Sequence, residues 1–600
     1  MKYKIELMKY PELKKNASIP KFQRRLVWSD AQKSEFIETL KKGYPFGSIL
    51  VYKYTDNETI SIIDGLQRYS TMNEYSATPN KYFPIDDYVE KALDIVFKNQ
   101  ILSDSELRLN TNKIESIIRN ILGKKNVQNS VNPMDLNDDL YKEFNHLFSE
   151  NINRKLVDLQ ADLFIALDQY LDIDEIQIPA VIFQGDESEL ADVFQNLNRG
   201  GKKLSKYQVF AAQWSEFELQ LNSDIYNEKI LNKVVRRYNV LNASRNIEII
   251  DFDEQKMREE KKINLSEFCY ALGSIIIETM DSFWSQQDRK KEDLANEIGY
   301  STIGIVLGVS NNKLHEIIRH RDIFHNAELL EEMISNIIDT YSNINAKFSI
   351  YLRHPGTTGK TEGKSATNFQ ILSFFASLWT IKYEKLTLHN GVKVRSKYIN
   401  SYEAALNNFI YYYIHDIISK RWSGTGDKKL NEIYINDNNR YLLSLEKSNL
   451  ENKLMEWHDE MVSKGSILFD GSAKTIYTIF SSFERTRYGS INYDFEHVVS
   501  RKKLKSVYKI EKVPAGSLGN IMFLQMNSNR SKKELNLYEA LQPGMVLEQN
   551  FVEINVYPTK GEMEQIENAI KSKNYGLVTK KIVDRGKAII NLMLNDLYKK

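Results

Sequence analysis

The sequence predicts a multidomain chain: an α/β N-terminal domain, a mostly α-helical middle, and a smaller C-terminal domain organised around a short strand. Three observations predict it. The first 110 residues or so alternate strand and helix signals, and the stretch from Leu204 to about Ser448 reads as helix after helix. Near the end, Tyr493-Asp494-Phe495-Glu496-His497-Val498-Val499-Ser500 sets an acid and a histidine side by side between apolar residues, as at the end of a strand. A chain of 600 residues is too long for one core, so about two to four domains are expected.

Composition narrows the class. Hydrophobic content of 42% and charged content of 27% describe an ordinary soluble protein and exclude a disordered or fibrous one. The net charge of +1 gives no global basic field, so any contact with nucleic acid has to come from local patches. Cys269 is the only cysteine, which excludes an internal disulfide framework and a cysteine-based zinc site. It lies in the apolar run Phe268 to Leu272 and is expected to be buried. No run of 18 apolar residues and no secretory h-region appears, so the expectation is a cytoplasmic protein without a membrane partner. Association into a homo-oligomer is compatible with the sequence.

Taken in order, Ile19-Pro20-Lys21-Phe22-Gln23-Arg24-Arg25-Leu26-Val27-Trp28 reads as extended, with proline setting its start. Ser29-Asp30 caps a helix over 31–42, with Phe36, Ile37 and Leu40 on one face. Gly43-Tyr44-Pro45-Phe46-Gly47 breaks it. Strands follow at 48–54 and 60–63, around the turn Thr55-Asp56-Asn57-Glu58. The second strand runs into Asp64-Gly65-Leu66-Gln67-Arg68-Tyr69-Ser70-Thr71 and a helix. Such a junction brings a carboxylate, backbone N–H groups and an arginine to one helix N-terminus, a natural phosphate site. Arg68 and Arg24 could each add a bidentate fork to phosphate oxygens. Spacing alone favours a surface turn with a structural Asp cap.

The segments Ile19-Pro20, Phe22-Gln23-Arg24, Val27-Trp28, then Tyr44-Pro45, Gly47-Ser48-Ile49, then Ile63-Asp64-Gly65 and Gln67-Arg68 resemble the GmrS-type, ParB-like domain of GmrSD-type type IV (modification-dependent) restriction enzymes. Phe194-Gln195-Asn196-Leu197-Asn198-Arg199-Gly200-Gly201-Lys202-Lys203-Leu204-Ser205 resembles a further element of that family. The resemblance implies a domain over 1–205 that binds and hydrolyses nucleoside triphosphate and senses modified DNA. Gln23, Arg24, Asp64, Gly65, Gln67, Arg68, Thr71 and Asn198 are its nucleotide-binding candidates, with Asp64 also catalytic. Leu66 departs from the family, which usually carries a glutamine there.

A helix is expected within 156–171 and a strand over 175–183 that returns to the N-terminal sheet. In the helical connector over 206–448, Leu329, Leu330, Met333, Ile334, Ile337 and Ile338 form a core face. The frequent tyrosines read as core-edge residues. Gly356-Thr357-Thr358-Gly359-Lys360-Thr361-Glu362-Gly363-Lys364-Ser365 lacks the four-residue spacing of a phosphate-binding Walker loop and reads as a glycine-rich loop. An amphipathic helix over 450–462 opens the last domain, 449–600.

That domain holds an ordered set. Glu496-His497 is followed by Gly519-Asn520, then by Asn529 and Lys532. The set resembles the HNH nuclease pattern, which implies a ββα-metal fold, and the two-ended arrangement resembles single-chain SspE-type members. Imidazole titrates near neutral pH, so His497 is the natural general base for attack on a phosphodiester. Glu496 and Asn529 offer oxygen donors suited to Mg²⁺ or Mn²⁺, and Lys532 is placed for a phosphate. The resemblance implies that Asn520 orients the base and holds its loop. Arg501, Lys502, Lys503 and Lys505 form a plausible track for the DNA backbone, carrying affinity but not sequence choice. The resulting expectation is a metal-dependent DNA endonuclease of an anti-phage defence system, controlled by a nucleotide-using sensor. Two rivals stand beside it: a nucleotide-switched DNA-binding protein with an inactive nuclease domain, and an RNA-cutting abortive-infection effector.

Overall fold

The computed structural model describes residues 3–18, 28–53, 60–98, 100, 103–127, 132–184, 207, 210, 214, 217–245, 252–284, 291–352, 366–424, 426–483, 493–505, 513–525, 534–541, 546–547 and 549–599. The chain divides into two compact units: Met1–Leu204 with Arg237–Asp253, and Ser205–Arg236 with Glu254–Lys600. No helix among the described residues is long and apolar enough to cross a membrane.

The first unit is built on a five-stranded mixed sheet. Its strands are β1 (Tyr3–Lys9), β2 (Ala17–Ser18), β3 (Ile49–Lys53), β4 (Ile60–Asp64) and β5 (Gln177–Phe183), in the order β1-β5-β3-β4-β2. β3 lies parallel to β5 and antiparallel to β4, with a register shift between Leu50 and Val51. The apolar runs Ile49-Leu50-Val51 and Ile60 to Ile63 are buried throughout, as strands covered on both faces must be. β5 arrives from more than a hundred residues downstream, the return that its isoleucine-rich pattern predicts.

Helices α1 (Tyr10–Asn16), α2 (Asp30–Lys41) and α3 (Leu66–Ala77) pack on this sheet. Ser29 closes a capping box with Gln32, and Phe36, Ile37 and Leu40 face the core with Leu66, Tyr69 and Met72. Four further helices, α4 (Asp86–Phe97), α5 (Asp104–Val127), α6 (Asp135–Phe144) and α7 (Glu150–Asp168), make a second core of their own around Ile114, Ile118, Leu140, Leu156 and Leu163. Their apolar residues recur at helical spacing and pack together with Phe83, Ile85 and Tyr170, the last of which also packs against the sheet core.

The second unit is mostly helical. Cys269 is fully buried in the helix Leu265–Thr279. All six apolar residues of the face read at 329–338 are buried in the helix Ala327–Leu352. Several tyrosines assigned to core edges stand wholly inside instead, among them Tyr300, Tyr341 and Tyr441. The physical reason is a partner for each hydroxyl: Ser266 Oγ at 2.6 Å, Thr302 Oγ1 at 2.8 Å and Ser373 Oγ at 2.6 Å. β6 (Glu218–Gln220) pairs antiparallel with β7 (Lys262–Asn264). Beyond the helices Lys447–Lys464 and Gly471–Ser481, β8 (Tyr493–His497) pairs antiparallel with β9 (Ile521–Gln525), so that His497 faces Ile521. The glycine-rich stretch 356–365 lies outside the described residues.

Candidate active site

At the first site β4 ends on Asp64, and Gly65 turns the chain into α3. Gly65 has φ of +91°, and a Cβ there would lie 2.9 Å from Ile49 Cγ1, so both backbone and packing require glycine. No side chain caps the helix, and its first turn carries no acid. Asp64 is half-buried, and among the described residues its carboxylate has no hydrogen-bonding or ionic partner. Arg68 lies with its guanidinium against Gly47 and donates to the Ser48 carbonyl at 2.5 Å. Gln67 Oε1 accepts from the Trp28 N–H at 3.1 Å. Residues from three separated sequence segments, ending at Trp28, at 47–49 and at 64–68, therefore converge on one helix N-terminus. Thr71 is buried, and its hydroxyl donates to the Gln67 carbonyl at 2.8 Å inside α3. Gln23, Arg24 and Asn198 lie outside the described residues.

The second site surrounds the end of β8. His497 and Glu496 both line a cavity of about 730 Å³, together with Phe469, Lys474, Arg501 and Lys502. The imidazole is nearly buried. It stacks on Phe469 with centroids 3.9 Å apart, and Nε2 lies 3.3 Å from the Ile467 carbonyl. The loop after the histidine is held by Asn520, which is fully buried. Asn520 Oδ1 accepts from Val499 N–H at 2.7 Å, while Nδ2 donates to the carbonyls of Val499 (3.1 Å) and Ala515 (2.9 Å). Val498 N–H in turn donates to the Asn520 carbonyl at 2.9 Å.

This turn is seated on the helix Tyr575–Leu597. A Cβ on Gly519 would lie 1.8 Å from the Ile582 carbonyl, so the two backbones touch. Arg585, buried, donates to the carbonyls of Gly519, Ile521, Asn555 and Val556 at 2.7–2.9 Å. Burial pushes its guanidinium below the ordinary arginine value.

Of the four basic residues read as a backbone track and described here at least in part, Arg501 and Lys502 border the cavity. Lys502 pairs with Glu534, which lies on the same cavity wall. Lys503 turns away to Glu567 at 2.6 Å and Glu539 at 3.6 Å. Lys505 ends the helix Arg501–Lys505. Asn529 and Lys532 lie outside the described residues. Phe469, Ile467, Lys474, Glu534 and Arg585 were not singled out from sequence. Only Phe469 carried a local signal, an aromatic in the Ser-Ile-Leu-Phe-Asp run ahead of a helix, and that signal is unspecific.

The cavity's donors are carboxylates, Glu496 and Glu534, beside one imidazole. Hard oxygen chemistry of this kind fits Mg²⁺ or Mn²⁺, and Mg²⁺ keeps several waters while taking one or two carboxylates. Among the described residues no group of three or more His, Cys, Asp or Glu side chains forms a metal cage.

Residues 9–215 match the family model for the N-terminal domain of the GmrSD restriction endonuclease. The match covers the N-terminal third of the chain and ends well before β8. No curated protein and no solved structure matches the chain.

Proposed function

We propose that this chain is a DNA endonuclease of a restriction system, with an HNH-type metal-dependent centre at His497 and a nucleotide-binding domain at its N-terminus that gates cutting. The observation that carries this reading is the shared cavity: a nearly buried histidine and a carboxylate on one wall, with Arg501 and Lys502 at its border. Restriction enzymes act on DNA, and the family match over 9–215 supports DNA as the substrate.

In this mechanism His497 takes a proton from the attacking water. When Nε2 carries the ring proton and donates to Ile467, Nδ1 is the basic nitrogen. Phe469 covers one ring face and fixes the plane of the imidazole. Asn520 sets the path of the chain just after the base; it positions rather than reacts. Arg501 and Lys502 hold backbone phosphate. A divalent ion held by Glu496 and Asn529 would supply positive charge to the phosphoryl oxygens. At the other end, Asp64, Arg68 and the uncapped N-terminus of α3 suit a triphosphate, with orphan amides and helix dipole favouring its negative charge.

The test is cleavage of plain and phage-modified DNA, and of RNA, with Mg²⁺, with and without nucleoside triphosphate. Wild type cuts DNA and His497→Ala does not. DNA bound tightly but never cut would favour the nucleotide-switched binding protein. Cutting confined to RNA would favour the abortive-infection effector.

A further inference from the structure

β1 has an unusual surface. Among the described residues it is an edge strand of the five-stranded sheet, paired on one side only, with β5. Alternate backbone N–H and C=O groups along its outer side are thus available for another strand. Its side chains alternate across the sheet. Met8, Glu6 and Lys4 lie on the face of Ile178, Ala180 and Ile182, which is the core face. Tyr3, Ile5 and Leu7 lie on the opposite face and are 46%, 67% and 64% exposed. Beside them stand Val181 and Pro179 of β5, both half-buried. An edge strand that is both unpaired and apolar is a liability that natural sheets avoid with charge, proline or bulges. β1 has no proline and no bulge. Its charges are Lys9, paired with Glu175 at 2.8 Å, and Lys4 and Glu6, which stand one residue to either side of Ile5. Lys4 and Glu6 pair with each other along the strand at 2.6 Å, a pairing that a second copy would exchange for one across the axis.

That spacing identifies the partner. The segment Tyr3-Lys4-Ile5-Glu6-Leu7 is complementary to itself when run antiparallel. With a two-fold axis at Ile5, Lys4 falls opposite Glu6 of a second copy, and Glu6 opposite its Lys4. Ile5 meets Ile5, and Tyr3 meets Leu7 at each end. Opposite charges and apolar pairs face one another directly, and those are the favourable cross-strand pairings. We propose that β1 is the seam of a homodimer, in which two copies pair antiparallel through Tyr3–Leu7 and join their sheets into one. Such a contact is isologous: the same patch serves both subunits, and pairing consumes both open edges, so the assembly closes at two.

Sedimentation of the full-length chain tests this. Wild type runs at twice the chain mass. Lys4→Glu and Glu6→Lys each place like charges across the axis and yield monomer, while the double exchange restores opposite charges and the dimer. All these side chains are exposed, and an unchanged circular dichroism spectrum would establish that the fold survives. Ile5→Cys gives a second readout. Cys269 is buried and is the only native cysteine, so mild oxidation of Ile5→Cys yields a covalent dimer across the axis. A wild type that stays monomeric at every concentration overturns the proposal. So does a dimer that survives both single charge reversals, or one that Ile5→Cys fails to link.

Discussion

Asn520 acts beyond the histidine it accompanies. Its amide satisfies both backbone groups of Val499 and the carbonyl of Ala515 in a place that water does not reach. Asn520→Ala would leave one N–H and two carbonyls buried without partners, and unmade hydrogen bonds of this kind cost about 1–3 kcal/mol each. The expected outcome is a loss of about 3 kcal/mol or more in chemical denaturation together with a drop in cleavage, because the chain leaving His497 is no longer held. A variant with wild-type stability and full cleavage would contradict that role. His458, in the helix Lys447–Lys464, makes a different prediction. It is fully buried, among the described residues neither ring nitrogen has a hydrogen-bond partner, and Nδ1 lies 3.9 Å from Asp459 Oδ1. Burial, opposed by Asp459 and aided by Lys587, lowers its pKa below the ordinary value. The unfolded chain then binds a proton at higher pH than the folded one, so stability holds above about pH 6.5 and falls as the pH drops below it. Replacing the ring by an apolar one, His458→Phe, should flatten that acid slope in denaturation curves measured across pH.

The junction between β4 and α3 is where a short sequence motif becomes a site. Gly65 carries it, because the chain must turn through a left-handed conformation with Ile49 pressed against it. Gly65→Ala is expected to cost about 1–3 kcal/mol through backbone strain and overlap, read as a lower Tm. It should weaken nucleotide binding more than Gly43→Ala, where φ is also positive but nothing lies within 4 Å. Elements of this kind are legible in sequence because glycine, proline and capping residues act on their own neighbours. α2 and its capping box, β3, β4 and the buried face at 329–338 fall in that class. β1 is not, since its apolar alternation turns away from the core and its meaning depends on β5, more than a hundred residues downstream. Glu496, His497 and Asn520 stand out by order and spacing. Phe469, Ile467 and Arg585 do not: their roles come from tertiary contacts between elements 28 to 66 residues apart, and no local pattern encodes such contacts.

At the scale of the molecule, the chain holds two chemically distinct candidate sites in two compact units. One combines a carboxylate, an arginine and an uncapped helix N-terminus, the other a histidine, a carboxylate and bordering cations. If the first gates the second, their failures must be asymmetric. Removing the base with His497→Ala should abolish cleavage and leave nucleotide binding and hydrolysis at wild-type levels, because no atom of His497 takes part in the first site. Removing the carboxylate with Asp64→Ala should abolish nucleotide turnover. Its Mg²⁺-dependent cleavage should then lose all response to added nucleotide, and cells carrying it should lose protection against phage. Asp64 sits at the end of a strand, and the substitution breaks no ion pair among the described residues, so the fold should stand, which thermal unfolding would verify. Phage protection that survives Asp64→Ala in a folded protein would mean that the N-terminal site does not control the nuclease, even if His497→Ala silences it.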